Sequence, residues 1–256
     1  NYAIVGAYGG QGAAYIFTRN GTTWTQQQRI RSTDTAAGDG FGQSVSIYGD
    51  YVIVGAQDED PPGFNNAGSA YIFKLSGTTW SEHQKINTTD AAVSDAFGSS
   101  ASISGDYMIV GANAKSGGGA AYIFKRSGTT WSEQAKLVAS DPVSNDNFGY
   151  SSYISGNYAI VGAYYKSGGG AAYIFTRVTD TTWTQQKIVG LDTVSGDLFG
   201  YWVSISGENA IVGAISKSGG GASYIFKRNV TTGVWTQQFK LVGGDTTGTD
   251  GFGSAV

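Results

Sequence analysis

Pairs of aspartates recur along the sequence with one fixed spacing. Each pair has the form D-x4-D and comes just before a Phe-Gly dipeptide. Carboxylates repeated in this way could hold divalent metal ions or recognise a cationic partner. They could instead accept hydrogen bonds from loop N–H groups and fix the crossing between two structural units, and recurrence in every unit favours this architectural role. The ten residues are Asp34, Asp39, Asp90, Asp95, Asp141, Asp146, Asp192, Asp197, Asp245 and Asp250.

Other groups that could do chemistry are scarce. The chain has no cysteine and one histidine, which excludes thiol catalysis, thiolate metal sites and disulfides. His83 stands where the other units carry glutamine, which indicates a surface substitution. The sequence contains no G-x-S-x-G elbow, no H-E-x-x-H pair and no phosphate-binding loop. We therefore predict that the protein is not an enzyme, and we expect no cofactor.

The composition limits the class of partner. Glycine accounts for 40 of 256 residues, and charged residues for 14%, well below the usual share of about 25%. A net charge of −3 without any basic run gives no electrostatic reason to expect nucleic acid. No apolar run approaches the roughly 20 residues that cross a bilayer, so we predict no membrane insertion.

The aspartate pairs belong to a unit of about 51 residues that occurs five times. Within one unit, "FGQSVSI" places Val45 and Ile47 on one face and Ser44 and Ser46 on the other, which is the period of a β-strand. "YVIVGA", "AYIFK" and "TTWTQQQRI" predict three more strands. A Gly-Asp, Gly-Asn or Gly-Glu pair between the first two strands suits a two-residue hairpin turn.

Four antiparallel strands per unit predict the blade of a β-propeller. The first two strands carry Gly, Ala and Ser, whereas the third and fourth carry Tyr, Phe and Trp, and this gradient fills a wedge that is narrow at the axis. We predict an all-β chain whose residues 1–256 form one five-bladed propeller, with the repeated tryptophans packed between blades. The last unit holds only a first strand, in "GFGSAV", and "NYAIVGA" at the start supplies a second strand. We therefore expect the N- and C-terminal strands to pair and close the ring.

The recurring text "DxFGxSxSISGDYxIVGA…GGGAAYIFKRSGTTW" resembles the FG-GAP repeat of integrin α-chain propellers and of repeat proteins from bacteria and protists. The resemblance implies a propeller fold and, among other roles, adhesion. Calcium-binding members of that family carry a D-x-D-x-D-G-like loop between the first and second strands. Here that loop is only "SGDY", "SGNY" or "SGEN", which cannot supply the usual 6–8 oxygen ligands, so the calcium site is not expected.

Loops between the second and third strands vary in length and charge. Three read "KSGGG", and the loop of the second unit is enlarged to "QDEDPPGFNNAG". Alternating hairpins place these loops at the same end of the molecule as the aspartate crossings, and variable loops on a rigid scaffold are common binding sites. The candidate ligand-binding residues on this face are Asp58, Glu59, Asp60, Lys115, Lys166 and Lys217.

Trp202 is the one tryptophan outside the repeated positions. It replaces a serine or alanine on an inner strand, where space is limited. An exposed indole there would mark a ligand cleft, since such a ring stacks on sugars or caps an apolar pocket. The alternative is that it fills an asymmetric gap in the core.

These features predict a non-catalytic adhesion or interaction module that binds a protein or glycan at the cell surface or in a matrix. The expected location is therefore secreted or on the cell surface. Two further possibilities follow from the fold: a self-assembling building block of an extracellular filament or coat, and an accessory domain of a larger secreted enzyme.

Overall fold

The computed structural model describes residues 1–248 and 250–256, and these form an all-β domain. Its strands make five antiparallel sheets, of which four have four strands and the first has three. Each sheet corresponds to one sequence unit, so the predicted blades are confirmed. No helix in the described residues has the length and hydropathy of a membrane-spanning segment.

Blade one contains β1 (Tyr2–Ala7), β2 (Ala13–Asn20) and β3 (Thr23–Ile30). Blade two contains β4 (Ser44–Tyr48), β5 (Tyr51–Ala56), β6 (Ser69–Ser76) and β7 (Thr79–Ile86). Blade three contains β8 (Phe97–Ser104), β9 (Tyr107–Ala112), β10 (Ala120–Ser127) and β11 (Thr130–Leu137). Blade four contains β12 (Ser152–Ser155), β13 (Tyr158–Ala163), β14 (Ala171–Arg177) and β15 (Trp183–Ile188). Blade five contains β16 (Phe199–Ser206), β17 (Asn209–Ala214), β18 (Ala222–Arg228) and β19 (Trp235–Leu241).

The hairpin between the first two strands of a blade is as tight as the sequence predicts. Tyr48 pairs with Tyr51, which leaves Gly49 and Asp50 as a two-residue loop. The φ angle of Gly49 is 57°, a backbone conformation that glycine adopts without a steric penalty. The turn therefore fixes the register of β4 against β5, and with it the face on which each side chain lies.

The hydrophobic core lies between adjacent blades. One cluster joins Ile53 of blade two to Met108 and Tyr122 of blade three, all of them buried. The blades approach most closely at the Gly-Ala dipeptide, where a Cβ on Gly55 would overlap the carbonyl oxygen of Gly98 in the next blade. Glycine is therefore required on the second strand because the neighbouring backbone occupies the space of a side chain.

Three of the five repeated tryptophans are buried between blades, as predicted. Trp80, for example, is 2% exposed and meets the ring of Tyr2 edge-on at a centroid distance of 5.6 Å. Trp183 is half-buried against the core that blades three and four share. Trp24 differs, because 46% of its surface is exposed.

Pairing of the N- and C-terminal strands, which we expected to close the ring, is not shown. Within the described residues, the first sheet contains β1, β2 and β3 only. Phe252 forms a β-bridge with Gly221 of blade five, as Phe148 does with Gly119 and Phe199 with Gly170 at the two preceding crossings.

Candidate functional site

The first aspartate of three pairs, Asp90, Asp141 and Asp192, binds the third and fourth strands of the blade that follows it. Asp90 accepts hydrogen bonds from the Tyr122 hydroxyl at 2.7 Å and from Lys136 Nζ at 2.6 Å. Partial burial acts to raise the pKa of Asp90, but these two hydrogen bonds and the charge of Lys115 lower it to about 2. The carboxylate is therefore ionised at neutral pH and already paired with lysine.

The second aspartate of a pair fixes its own loop and holds a lysine. Asp95 is buried, accepts a hydrogen bond from the backbone N–H of Ala92 at 2.7 Å and forms an ion pair with Lys115 at 2.7 Å. Lys115 also donates to the carbonyl oxygen of Asp90. The same arrangement joins Lys166 to Asp146 and Lys217 to Asp197, each at 2.9 Å.

The three lysines that we predicted to line a ligand-binding face are buried. Lys115 is 7% exposed, Lys166 is 5% exposed and Lys217 is 7% exposed. Their ammonium groups point into the loop and bind carboxylates, because an unpaired charge at this depth would be costly. We therefore do not place these three lysines in the ligand-binding surface.

The enlarged loop of blade two replaces this lysine by a glutamate. Glu59 is 5% exposed, and its carboxylate binds Lys85 Nζ at 2.6 Å and Ser69 Oγ at 2.5 Å. Asp60 is exposed and accepts a hydrogen bond from the backbone N–H of Asn66 at 2.6 Å, and Asp58 lies near the amide of Gln57 at 3.3 Å. The three acidic residues thus do not converge on one point.

Three more aspartates of the pairs also make local contacts. Asp34 binds Lys85 at 2.8 Å, and Asp39 and Asp250 accept loop N–H groups of Ala36 and Thr247. Across residues 1–248 and 250–256, no three carboxylate or imidazole groups lie close enough together to hold a metal ion. The observed contacts of the aspartates are those expected of residues that fix the loops and the crossings between blades.

Trp202 lies in an aromatic cluster between blades four and five. The indole is 39% exposed, and its ring centroid is 6.3 Å from those of Tyr150 and Tyr201. The Tyr150 hydroxyl donates to that of Tyr201 at 3.0 Å, and the ring of Tyr164 lies tilted against that of Tyr150, with 4.6 Å between their centroids. Burial and the Tyr201 hydroxyl raise the pKa of Tyr150, so this group stays neutral at physiological pH.

This cluster forms part of the wall of a cavity of about 330 Å³. The inner strands of blades two to four contribute serine side chains, and the wall also includes Gln43, Tyr150, Tyr153, Trp202 and Val256. No charged residue lines it among those that the structure describes. Its size is at the lower end of the range of about 300–1,000 Å³ that is typical of small-molecule sites.

Trp202 faces this cavity because it cannot make the contact of the serine that it replaces. In the preceding blades, the hydroxyls of Ser44, Ser100 and Ser151 each donate to a glycine carbonyl of the next blade, at 2.8, 2.9 and 3.1 Å. An indole is too large for that gap between blades, so the ring turns toward the axis. Blade five therefore lacks the corresponding hydrogen bond to the carbonyl oxygen of Gly253. The partly exposed indole of Trp202 takes the place of the serine.

The sequence reasoning identified Trp202 but not the tyrosines around it. Tyr150 and Tyr201 occupy the place of Gln43 in blade two and Ser99 in blade three. This departure from the repeat was the signal that could have found them. Tyr164 and Tyr165 complete the cluster, and Tyr153 lines the cavity.

Antiparallel blades joined by Phe-Gly crossings, with a cavity between their inner strands, define a repeat-built β-propeller domain. The chain belongs to the FG-GAP repeat family, whose pattern matches residues 24–73, 80–124, 131–175 and 183–226. No curated protein matches the sequence. A crystal structure of a protein from Lactobacillus plantarum, a target of the Northeast Structural Genomics Consortium, is similar over 96% of this chain and 69% of its own, with a TM-score of 0.63 and 14% identity. At that identity the likeness shows the fold alone.

Proposed function

We propose that this FG-GAP propeller is a non-catalytic binding module outside the cell that holds a glycan in the aromatic-lined cavity. The observation that carries the proposal is the exposed face of Trp202 beside Tyr150 and Tyr153 in a concave site of about 330 Å³. Such a site suits a ligand with both an apolar face and hydroxyl groups. A neutral saccharide has both, since its C–H face stacks on aromatic rings and its hydroxyls need hydrogen-bond partners.

The polar groups of the wall favour a hydroxylated ligand over a purely apolar one. Ser46 Oγ accepts the backbone N–H of Ile103 at 3.2 Å, which leaves its own proton to donate. An apolar ligand would strip water from these groups without replacing its hydrogen bonds, at a cost of roughly 1–3 kcal/mol for each group.

The neutrality of the wall favours an uncharged ligand. Among the described residues, no side chain that lines the cavity carries a carboxylate or ammonium group. A non-catalytic role is supported by other contacts, because the aspartates are tied to lysines and His83 bonds the carbonyl of Thr129 at the outer strands.

The experiment is a glycan array, followed by calorimetric titration of any hit with the wild-type protein and with Trp202→Ser. Serine is the residue that blades two, three and four carry at this place, so the change follows the repeat. We expect affinity for the glycan to fall at least about tenfold, which corresponds to about 1.4 kcal/mol. Phe64→Ala, an aromatic residue of similar exposure (40%) on the loop of blade two, is the matched control and should leave affinity unchanged.

A protein partner is the competing outcome for the same cavity. Capture of a peptide or protein that is lost in Trp202→Ser, with no glycan bound, would keep the binding module and reject the glycan. Binding of a glycan that is unaffected by Trp202→Ser would reject the cavity as the site.

A further inference from the structure

Two tyrosines continue the aromatic cluster from the cavity onto the loop face. Tyr164 and Tyr165 open the loop between the second and third strands of blade four. Gln57 has the same place in blade two and lines the cavity, so this loop position lies at the cavity mouth. The ring centroid of Tyr164 lies 4.6 Å from that of Tyr150 in the cavity wall and 4.4 Å from that of Tyr165. The aromatic surface therefore continues beyond the cavity.

Both ends of this aromatic surface are accessible to a ligand. Trp202 is partly exposed at the cavity end, and Tyr165 is 59% exposed at the loop end. The rings of Tyr150 and Tyr164 lie between them and are half-buried. Because two other rings separate Trp202 from Tyr165, a single sugar ring cannot stack on both. A glycan that uses both exposed rings must be a chain of sugars.

A small polar pocket lies next to the loop end of the aromatic surface. Its volume is about 140 Å³, and its wall includes Asn113, Asn145 and Asn147, so we call it the asparagine pocket. Asn113 has the place in blade three that Tyr164 has in blade four. Burial and the neighbouring tyrosines raise the pKa of Tyr164, whereas the nearby Asn147 side chain acts to lower it. The asparagine pocket and the aromatic surface are therefore contiguous.

Backbone geometry alone does not account for the three asparagines. The φ angles of Asn145 and Asn147 are 69° and 56°, a left-handed conformation that asparagine tolerates. The crossings into blades two, three and five have the same sign of φ at these two places, with glycine, serine, alanine or leucine. Asn113 has no positive φ. Asn113 and Asn145 make no side-chain hydrogen bond to another described residue, so their carboxamides remain free to bind a ligand.

The asparagine pocket suits an uncharged ligand. Among the described residues of its wall, Lys115 alone is charged, and its ammonium group is buried in the ion pair with Asp95. Ser116 and Ser144 add hydroxyl groups to the carboxamides. Amides and hydroxyls that converge on a small neutral pocket can donate to and accept from the hydroxyls of a sugar.

We infer that the glycan is a neutral oligosaccharide, with one sugar stacked on Trp202 in the cavity and a later sugar stacked on Tyr165 beside the asparagine pocket. This inference rests on the glycan binding proposed above and adds the length of the ligand. An oligosaccharide fits because the two places are contiguous, carry no free charge and each combine an aromatic ring with hydrogen-bonding groups. The protein thus recognises a run of sugars and not a single terminal one.

The test is calorimetric titration with three series of neutral sugars, namely cello-, malto- and N-acetylchito-oligosaccharides, each from the monosaccharide to the hexasaccharide. For the series that binds, we expect affinity to rise at least about tenfold from the monosaccharide to the longer members. Tyr165→Ser introduces the residue that blade five has at this place, Ser216. It should remove the gain with length and leave the affinity for the monosaccharide unchanged.

A second variant tests the asparagine pocket separately. Asn145→Gly introduces the residue found in blades two and five, and glycine accepts the left-handed backbone without strain. We expect it to weaken binding of the longer oligosaccharides and not of the monosaccharide. Tyr48→Ser is the matched control, since Tyr48 is 53% exposed, lies at the hairpin opposite the loop face and is serine in blades three, four and five. It should bind every length as the wild type does.

The outcomes separate this inference from the proposed function. Affinity that does not rise with chain length, or Tyr165→Ser and Asn145→Gly that bind every length as the wild type does, would overturn the inference. If Trp202→Ser still lost binding in that case, the glycan site in the cavity would stand. If no oligosaccharide bound the wild-type protein, the proposed function and this inference would both be rejected.

Discussion

Lys115 Nζ lies 2.7 Å from Asp95 Oδ2, and both side chains are almost fully buried where a loop of blade three meets the crossing between blades two and three. The pair connects a second-to-third-strand loop to a crossing between blades. Two more copies of this pair, Lys166 with Asp146 and Lys217 with Asp197, hold the next two crossings. The loop face is therefore tied together by internal charges.

We expect Lys115→Met to lower the free energy of unfolding by about 3–5 kcal/mol, because it leaves the buried carboxylate of Asp95 without a cation. Urea denaturation measures this change. Lys227→Met, at an exposed lysine without an ion pair among the described residues, is the control and should stay within about 0.5 kcal/mol of wild type. A loss below about 1 kcal/mol in Lys115→Met would contradict the structural role of the pair.

Acid should weaken the fold through Asp90, the first aspartate of the pair that precedes blade three. The pKa of Asp90 is lowered from its ordinary value of 3.8 to about 2, so its contribution to stability is fully present above pH 4 and is lost as the pH falls toward 2. We expect the midpoint of urea unfolding to fall between pH 4 and pH 2, and to fall less steeply in Asp90→Asn. Identical slopes for the two proteins would show that Asp90 is not paired in the folded state.

Strand order and blade content could be predicted from the sequence because they rest on local pattern. Alternation around Val45, and the glycine at position 49, determine a strand and a turn without reference to distant residues. The burial of Lys115 could not be predicted, since a lysine in a glycine-rich loop has the composition of a solvent-exposed tip. Only the carboxylate of Asp95, twenty residues earlier, makes burial of that ammonium group favourable.

The cavity was predicted only in part for a related reason. Trp202 departs from the repeat and could be singled out by aligning the units. Its partners Tyr150 and Tyr164 come from the previous blade, and their convergence depends on how far each blade rotates relative to the next.

Blades two and three approach each other so closely at Gly55 that a larger residue should destabilise the fold. We expect Gly55→Ala to lower the free energy of unfolding by at least about 1–3 kcal/mol, because the added methyl overlaps the carbonyl oxygen of Gly98 and pushes the blades apart. The φ angle of Gly55 is not positive, so the overlap and not backbone strain causes the loss. Gly9→Ala is the matched control, since no atom lies within 4 Å of its added methyl. Equal stability of both variants would show that the blades separate freely at this point.

The residue that defines the cavity should be nearly dispensable for folding. In Trp202→Ser, the new hydroxyl can donate to Gly253 as Ser100 donates to Gly149 at 2.9 Å, a gain of about 0.5–1.5 kcal/mol. Loss of the indole removes contacts with Tyr150 and Tyr201 that contribute a similar amount.

We therefore expect the free energy of unfolding of Trp202→Ser to stay within about 1 kcal/mol of wild type by urea denaturation, while glycan affinity falls. The reciprocal change, Ser100→Trp, places an indole where a serine is 5% exposed and should cost at least about 3 kcal/mol by overpacking. If Trp202→Ser lowered the free energy of unfolding by more than about 3 kcal/mol, the indole would be a core residue that holds blades four and five together. Its main role would then be structural and not ligand binding.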